Sequence, residues 1–198
     1  MARKPLDQIE FCKGTTIGNI NELMAHHDTK ALAEAIRHRF MERFLNPLKS
    51  VPKPHAHGFF TMAICCLLIE ALQRFRQGHP DETKDEKEDL YANFFQDFPQ
   101  FAISRAQGKA LYHDLRSGVL HLGETKGWLI HRSGEIIDFE NKTINATKFQ
   151  KTLESCLTEY CDTLQKRNWA ANEWQGVCTR LRGYIRYSDL NYERPAKK

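Results

Sequence analysis

Two side chains near the middle of the chain, Arg116 and His121, have the chemistry needed to act on a phosphate ester. They lie in the segment SRAQGKALYHDLRSGVLHLGETKG, residues 104–127. An arginine guanidinium binds phosphate oxygens through a planar fork of N–H donors, and a histidine imidazole transfers protons near neutral pH. The pair therefore predicts a site at which Arg116 holds a phosphate and His121 acts as a general base.

The segment around this pair has the pattern of an amphipathic helix. Ser104 with Gln107 three residues later is a capping-box signature, and Gly123 is placed to end the helix. Five positions on an ideal helix correspond to about 140° of rotation, so Arg116 and His121 are expected on either side of the apolar stripe rather than one above the other. A second copy of the chain that packs along this stripe would bring both pairs to one groove. The stripe consists of Leu111, Leu115, Gly118, Val119 and Leu122.

Three further residues are candidates for positioning a substrate. Asp114 and Ser117 are expected on the His121 side of the helix, and Lys126 follows the helix end. The same three residues also fit an ordinary solvated surface. The Arg–His spacing itself recurs at Arg74 and His79, where the histidine is enclosed by Gly78 and Pro80 and an acidic run follows, so that second pair is not expected to bind a nucleic acid.

The segment DLRSGVLHLGETKG resembles the HEPN superfamily (higher eukaryotes and prokaryotes nucleotide-binding), whose helical members carry an Arg-x4-6-His motif late in the chain. The resemblance rests on Arg116, His121 and the order of helices over residues 19–182. It implies a metal-independent endoribonuclease that needs no cofactor and acts as a homodimer in toxin, anti-phage or RNA-processing systems. It also implies that a regulatory or antitoxin protein is a possible partner.

In this interpretation His121 deprotonates a ribose 2′-hydroxyl and Arg116 stabilises the charge that develops on the phosphate. Two alternatives remain open. The first is a non-catalytic HEPN-like module that binds RNA, a nucleotide or a protein, with Ser117 marking a degenerate site. The second is a structural dimer in which Arg116 pairs with a carboxylate such as Asp114 of a partner chain and His121 interacts with the helix C-terminus.

Charge is unevenly distributed along the chain. The net charge of +4 over 198 residues is too small to diagnose nucleic-acid binding by itself. Residues 81–90 carry six acids against two lysines, a pattern typical of a solvated loop and helix start. The C-terminal region mixes basic and aromatic side chains, which fits either an RNA-guiding arm or a solvated helix end with an anchored tail. These side chains are Arg180, Arg182, Tyr184, Arg186, Tyr187, Tyr192 and Arg194.

The cysteines and the apolar segments indicate the cellular compartment in which the protein is expected. Six cysteines without a CxxC pair favour reduced thiols in a core and a cytoplasmic location, and the first residues lack the apolar stretch of a signal peptide. The longest apolar run, residues 59–69, is shorter than the ~20 residues that span a bilayer, so no membrane segment is expected. His55, His57, Cys65 and Cys66 include zinc-ligand types but lack the usual spacing, so no metal site is predicted.

Periodicity predicts a mainly α fold, a bundle of about five helices with a small inserted β-hairpin. Residues 1–18 are expected to form an arm, residues 19–184 a single domain, and residues 185–198 a basic tail. The hairpin is predicted at about 128–145, with strands at 128–130 and 135–139 around Ser133 and Gly134 and a third short strand near Ile144. Pro47 is expected to end the preceding helix near Asn46.

Overall fold

The computed structural model describes residues 4–51, 57–78 and 87–193, and from residue 187 onwards it describes the backbone alone. Over these ranges the fold is mainly α, as the sequence predicted. The helices are α1 (Ile17–Ala25), α2 (Thr29–Phe40), α3 (Asn46–Ser50), α4 (Gly58–Gln77), α5 (Lys87–Asp97), α6 (Arg105–Leu111), α7 (Ala146–Lys166) and α8 (Asn172–Glu193). The strands are β1 (Glu10–Cys12), β2 (Thr15–Thr16), β3 (Leu129–His131), β4 (Ile137–Asp138) and β5 (Thr143–Asn145).

The described chain forms two compact units. One lies within Met1–Glu42, Arg74–Glu82 and Glu159–Lys198, and the other within Arg43–Gln73 and Thr83–Thr158. The expectation of a single domain over residues 19–184 stays a prediction. Residues 4–18, expected to form an arm, contain a 3₁₀ turn at Leu6–Gln8 and the antiparallel pair β1–β2, and Phe11 is buried there.

The first unit is held by buried aromatic and guanidinium contacts. Arg39 donates a 2.5 Å hydrogen bond to the carbonyl of Phe11, and its guanidinium carbon lies 4.3 Å from the Phe11 ring centre and 4.2 Å from that of Tyr184. Trp174 is fully buried and its indole N–H donates to the Leu164 carbonyl at 3.0 Å. Tyr184 therefore packs against Arg39 and Phe11 within its own unit.

The second unit has an aromatic core. Its buried rings include Phe95, Phe101 and Phe149. The ring centres of Phe95 and Phe101 lie 5.2 Å apart, and those of Phe101 and Phe149 lie 4.8 Å apart. Such edge-on and tilted pairs add to the free energy gained by burying the rings. Gly108 brings α6 against α5, because a Cβ at this position would lie 3.0 Å from the Cα of Ala92.

The small sheet forms at the predicted position but with a different pairing. β5 is the central strand: β3 pairs with it in parallel and β4 pairs with it antiparallel. The prediction of a hairpin between the segments at 128–130 and 135–139 is wrong, because the tight turn lies between β4 and β5. Asp138 accepts from the backbone N–H of Asn141 there, and Lys142 adopts a left-handed conformation with φ 48°.

The helices before α4 continue further than predicted. A π-helical segment, Met41–Leu45, follows α2, and α3 then continues to Ser50 with Pro47 in its first turn. A proline is tolerated there because the N–H it lacks has no partner inside the helix. The predicted end near Asn46 is therefore wrong.

At the C-terminus, α8 runs without interruption to Glu193, so the residues expected to form a tail begin as helix. The side chains of Tyr187 and Tyr192 lie outside the described residues, as do Arg194 and His79. The predicted RNA-guiding role of this region stays a prediction.

Helix α4 is long and apolar enough to cross a bilayer when judged by length and composition alone. About 56% of its most apolar window is buried inside the protein, and buried helices of soluble proteins meet the same criterion. The expectation of no membrane segment stays a prediction.

Candidate active site

Arg116 and His121 are in direct contact. Nη1 of Arg116 lies 2.9 Å from Nε2 of His121. The helix that begins at the Ser104 and Gln107 capping box changes to π-helical turns at Tyr112–Arg116 and Gly118–Leu122, and it ends at Gly123 with φ 69°. A π turn closes its hydrogen bond between residues five apart, so Arg116 and His121 lie one above the other. The expectation that they sit on either side of the stripe is wrong, because it assumed regular α-helical winding.

Glu70 of α4 holds the guanidinium of Arg116. Its Oε2 accepts from Nη2 at 3.0 Å, and its Oε1 accepts from Nε in a short, charge-assisted hydrogen bond. This two-point contact fixes both the position and the plane of the guanidinium. Arg116 is 7% exposed and the Glu70 side chain 14% exposed, so solvent screens the pair only weakly.

The surroundings keep Arg116 charged. Burial by itself favours the neutral form, but the hydrogen bonds and the negative charge of Glu70 outweigh it, so the pKa of Arg116 is raised above its ordinary value. The ring of Tyr112 contributes a cation–π contact, with its centre 5.3 Å from the guanidinium carbon. The site therefore contains a permanent cation in a fixed orientation.

The hydrogen bond between Arg116 and His121 defines the state of the imidazole. A guanidinium can only donate, so Nε2 of His121 accepts, and the neutral ring carries its proton on Nδ1. Glu70 and His121 engage three of the five N–H donors of Arg116. One donor on each of Nη1 and Nη2 has no partner among the described residues, and His121 itself is exposed.

Family models, curated proteins and solved structures gave no match. The resemblance to the HEPN superfamily therefore stays a prediction that rests on Arg116, His121 and the helix order.

A buried polar cluster lies beneath the site. Tyr91 donates to Sγ of Cys66 at 3.3 Å, and the Tyr91 and Tyr112 rings meet edge to face, 5.9 Å apart. Burial, together with the nearby charge of Glu70, raises the pKa of Cys66 to about 12, although the Tyr91 hydrogen bond and Arg116 lower it. Cys66 is therefore a neutral thiol at physiological pH and supplies packing rather than a nucleophile.

Asp114 does not reach the Arg116–His121 pair. Its Oδ2 accepts from the indole N–H of Trp128 at 3.4 Å and lies 3.6 Å from the ammonium of Lys142. The carboxylate thus ties the π-helical segment to the start and the turn of the small sheet. It supports the segment that carries Arg116. Arg116 binds Glu70 of its own chain, and its pairing with a carboxylate of a partner chain stays a prediction.

Lys126 and Ser117 lie close to the candidate pair in the chain, and the substrate-positioning role predicted for them and for Asp114 stays a prediction. The Lys126 ammonium donates to the carbonyl of His113 at 2.9 Å, so it satisfies a backbone group of the π-helical segment. Ser117 is half-buried and joins the two π-helical segments. The structure therefore brings together Arg116 and His121 and leaves the three other candidates outside their contact.

Glu70 is the residue of the candidate site that the sequence patterns did not identify. It is the one charged side chain between Gly58 and Gln73 in an otherwise apolar helix. A carboxylate in such a helix requires a cationic partner, because leaving it unpaired in an apolar interior costs free energy. This rule predicts that Glu70 has a cationic partner. It does not identify that partner as Arg116, which lies 46 residues further along the chain.

The apolar stripe expected to form a dimer seam is already covered. Leu111, Leu115 and Val119 are buried in the chain itself, whereas Leu122 is 62% exposed. Further exposed apolar side chains lie on α4, at Phe60 and Leu67. A homodimer through the 104–122 helix stays a prediction, and its contact in that case uses Leu122 rather than the full stripe.

Proposed function

We propose that this chain is a metal-independent endoribonuclease whose reacting groups are Arg116 and His121. The observation that carries the proposal is the 2.9 Å contact between Nη1 of the arginine and Nε2 of the histidine. It places a fixed cation and a proton acceptor within the dimensions of one phosphodiester. Neither the charge of Arg116 nor the lone pair of His121 depends on a bound metal.

In the proposed reaction a phosphate oxygen accepts a hydrogen bond from Nη1 of Arg116 and takes the place of the imidazole. The freed Nε2 lone pair of His121 accepts the proton of the ribose 2′-hydroxyl. The 2′-oxygen then bonds to phosphorus and the bond from phosphorus to the 5′-oxygen breaks. The leaving oxygen takes a proton from the imidazolium or from water, which gives a 2′,3′-cyclic phosphate and a 5′-hydroxyl.

Glu70 has a positioning role in this scheme. It holds Nε and Nη2 of Arg116, so the guanidinium needs no reorganisation when charge develops on the phosphate oxygens. Proton transfer by a positioned base typically contributes 10²–10⁴-fold to a rate. Removal of the imidazole by His121→Ala is expected to lower cleavage by roughly that factor.

The test is incubation of the purified chain with single-stranded RNA in EDTA. Cleavage is expected for the unsubstituted chain and for His131→Ala, a matched substitution at an exposed histidine on β3. It is expected to fall to background for His121→Ala and for Arg116→Ala. Equal cleavage by all four proteins would assign the activity to a contaminant and contradict the proposal.

A second candidate is a non-catalytic HEPN-like module that binds RNA, a nucleotide or a protein. The observation that favours it is the engagement and burial of Arg116, which is only 7% exposed. This candidate predicts binding of RNA without turnover in EDTA. The two candidates therefore separate on one measurement, the accumulation of shortened RNA.

The resemblance extends the proposal to a cellular role and an assembly. A toxin or anti-phage nuclease arrests growth when it is expressed without its regulatory partner, and His121→Ala is expected to relieve that arrest. Six free and buried thiols fit a reducing, cytoplasmic compartment.

The proposed homodimer is tested by light scattering, which is expected to give the dimer mass for the unsubstituted chain. Leu122→Glu is expected to give the monomer mass, and the substitution Glu140→Gln at an exposed residue is expected to leave the dimer mass unchanged.

A further inference from the structure

An open depression lies beside the end of the helix that carries His121. Its volume is about 350 Å³, and it is lined by Phe59 of α4 and by the loop at residues 123–127. Phe59 is 40% exposed, so one part of its ring faces the depression rather than the core. An exposed aromatic ring in a concave site is a stacking surface for a planar ligand.

The loop offers backbone groups to such a ligand. A Cβ added at Gly123 or Gly127 would meet nothing within 4 Å, so both glycines border open space. Among the described residues, the backbone N–H groups of Thr125, Lys126 and Gly127 have no hydrogen-bond partner. These groups are donors that a ligand with carbonyl oxygens or ring nitrogens can satisfy.

The charges around the depression determine whether it favours the phosphate or the base of a nucleotide. The ammonium of Lys126 is turned away to the carbonyl of His113, at 2.9 Å. Glu124 is exposed and contributes a negative charge to the lining. Among the described residues that line the depression, no free cation offsets this carboxylate for a phosphate, whereas a neutral base meets an aromatic ring and N–H donors.

The depression adjoins the Arg116–His121 pair. Gly123 follows His121 by two residues, so their Cα atoms are within about 7 Å of each other. The backbone N–H of Glu124 donates to the carbonyl of Gly118 at 3.2 Å, which anchors the loop to the π-helical turn between the two residues. Gly118 permits this approach, because a Cβ there would lie 2.5 Å from the Glu124 carbonyl oxygen.

We propose that this depression is a base-binding subsite, in which an unpaired nucleobase next to the reacting phosphate stacks on Phe59 and accepts hydrogen bonds from the loop. The proposal rests on the proposed function, since it takes RNA as the ligand. It assigns single-stranded RNA as the substrate class, because a base inside a duplex is stacked on its neighbours and cannot enter.

The test measures binding of a fluorescein-labelled single-stranded RNA by anisotropy in the non-cleaving His121→Ala chain. Phe59→Leu keeps apolar volume but removes the ring, and it is expected to raise the Kd by about ten-fold, within the range of base–aromatic stacking. Phe59→Trp, which keeps a ring, is expected to stay within about two-fold. Phe60→Leu is the matched control, since Phe60 is 45% exposed but does not line the depression, and it is expected to bind normally.

An RNA with abasic positions provides the second arm. It is expected to bind more weakly than the normal strand and to show no further loss with Phe59→Leu. Unchanged binding by Phe59→Leu, a similar loss with Phe60→Leu, or no RNA binding at all overturns the subsite. A change in solution mass with unchanged RNA binding would make Phe59 a protein contact and also overturns it.

These experiments distinguish a failure of the base-binding subsite from a failure of the nuclease proposal. Cleavage in EDTA that depends on Arg116 and His121, with no effect of Phe59→Leu on binding, overturns only the subsite. Binding that depends on Phe59, without cleavage by the unsubstituted chain, overturns only the nuclease.

Discussion

Nε2 of His121 lies 2.9 Å from Nη1 of Arg116, five residues earlier in the chain, because the helix between them is wound in π turns. Regular α-helical winding would rotate the second side chain about 140° away from the first. π turns interrupt an α-helix at a cost in hydrogen-bond geometry and occur frequently at functional sites. The wider π turn here brings two side chains that are five residues apart in the chain into contact.

Gly118→Ala is expected to disturb this turn. The new methyl group would lie 2.5 Å from the Glu124 carbonyl oxygen, so the loop after the helix has to move. Steric insertion of this kind typically costs about 1–3 kcal/mol in the free energy of unfolding. Urea denaturation measures the loss, and the adjacent substitution Ser117→Ala serves as the control. Equal stability of Gly118→Ala and the unsubstituted chain would contradict the close approach of the loop.

Glu70→Gln is expected to destabilise the protein and to weaken RNA cleavage together. The substitution leaves the buried guanidinium of Arg116 without its counter-charge, which costs roughly 3 kcal/mol when a buried pair is broken. Glu154→Gln is the matched control, since Glu154 pairs with the more exposed Lys49, and an exposed pair contributes about 0–1 kcal/mol. A loss no larger than that of the control would show that Glu70 does not hold Arg116.

Asp114→Asn is expected to retain most RNA cleavage, unlike His121→Ala. Asp114 contacts Trp128 and Lys142 instead of the Arg116–His121 pair, and asparagine still accepts from the indole N–H. We expect a small fall in stability and a cleavage rate within about three-fold of the unsubstituted chain, well below the 10²-fold minimum for loss of a positioned base. A loss of cleavage as large as that of His121→Ala would give Asp114 a role in the reaction.

Stability is expected to fall at alkaline pH, in part because of Cys66. Burial raises the pKa of this thiol from 9.0 to about 12 in the folded chain. Between these values the unfolded chain has lost a proton that the folded chain keeps, so the free energy of unfolding falls as pH rises. At pH 10.5 the loss from one such group is about 2 kcal/mol.

Cys66→Ser removes this ionisation and checks the effect. The difference in unfolding free energy between the variant and the unsubstituted chain is measured by urea denaturation at pH 7 and at pH 10.5. Loss of packing affects both pH values equally, so we expect the variant to gain relative stability at the higher pH. A difference that does not change with pH would show that Cys66 ionises normally in the folded protein.

Local signals in the sequence predicted much of the fold. The capping box of Ser104 and Gln107 and the left-handed Gly123 that ends the segment are both present. The six cysteines are free and buried, as their spacing indicated. These features depend on residues close in the chain or on burial alone, which composition and spacing report directly.

The features that could not be predicted from the sequence depend on contacts between residues far apart in the chain or on departures from regular α-helical winding. The π turns contradict the 3.6-residue period from which the helix was predicted. The parallel pairing of β3 with β5 depends on register across the sheet rather than on the turn at Gly134. The partner of Glu70 lies 46 residues away and no local pattern identifies it.

The most direct test of the proposed 2′-hydroxyl attack is whether one RNA linkage is cleaved in EDTA. Two synthetic strands are compared, one all-ribose and one with a single 2′-deoxy nucleotide at the mapped cleavage position. We expect the unsubstituted chain to cut only the all-ribose strand there, with a 2′,3′-cyclic phosphate and a 5′-hydroxyl detected by mass spectrometry. We expect His121→Ala to cut neither strand. Cleavage of the 2′-deoxy strand at that linkage, or equal cleavage by His121→Ala, would contradict the proposed 2′-hydroxyl attack.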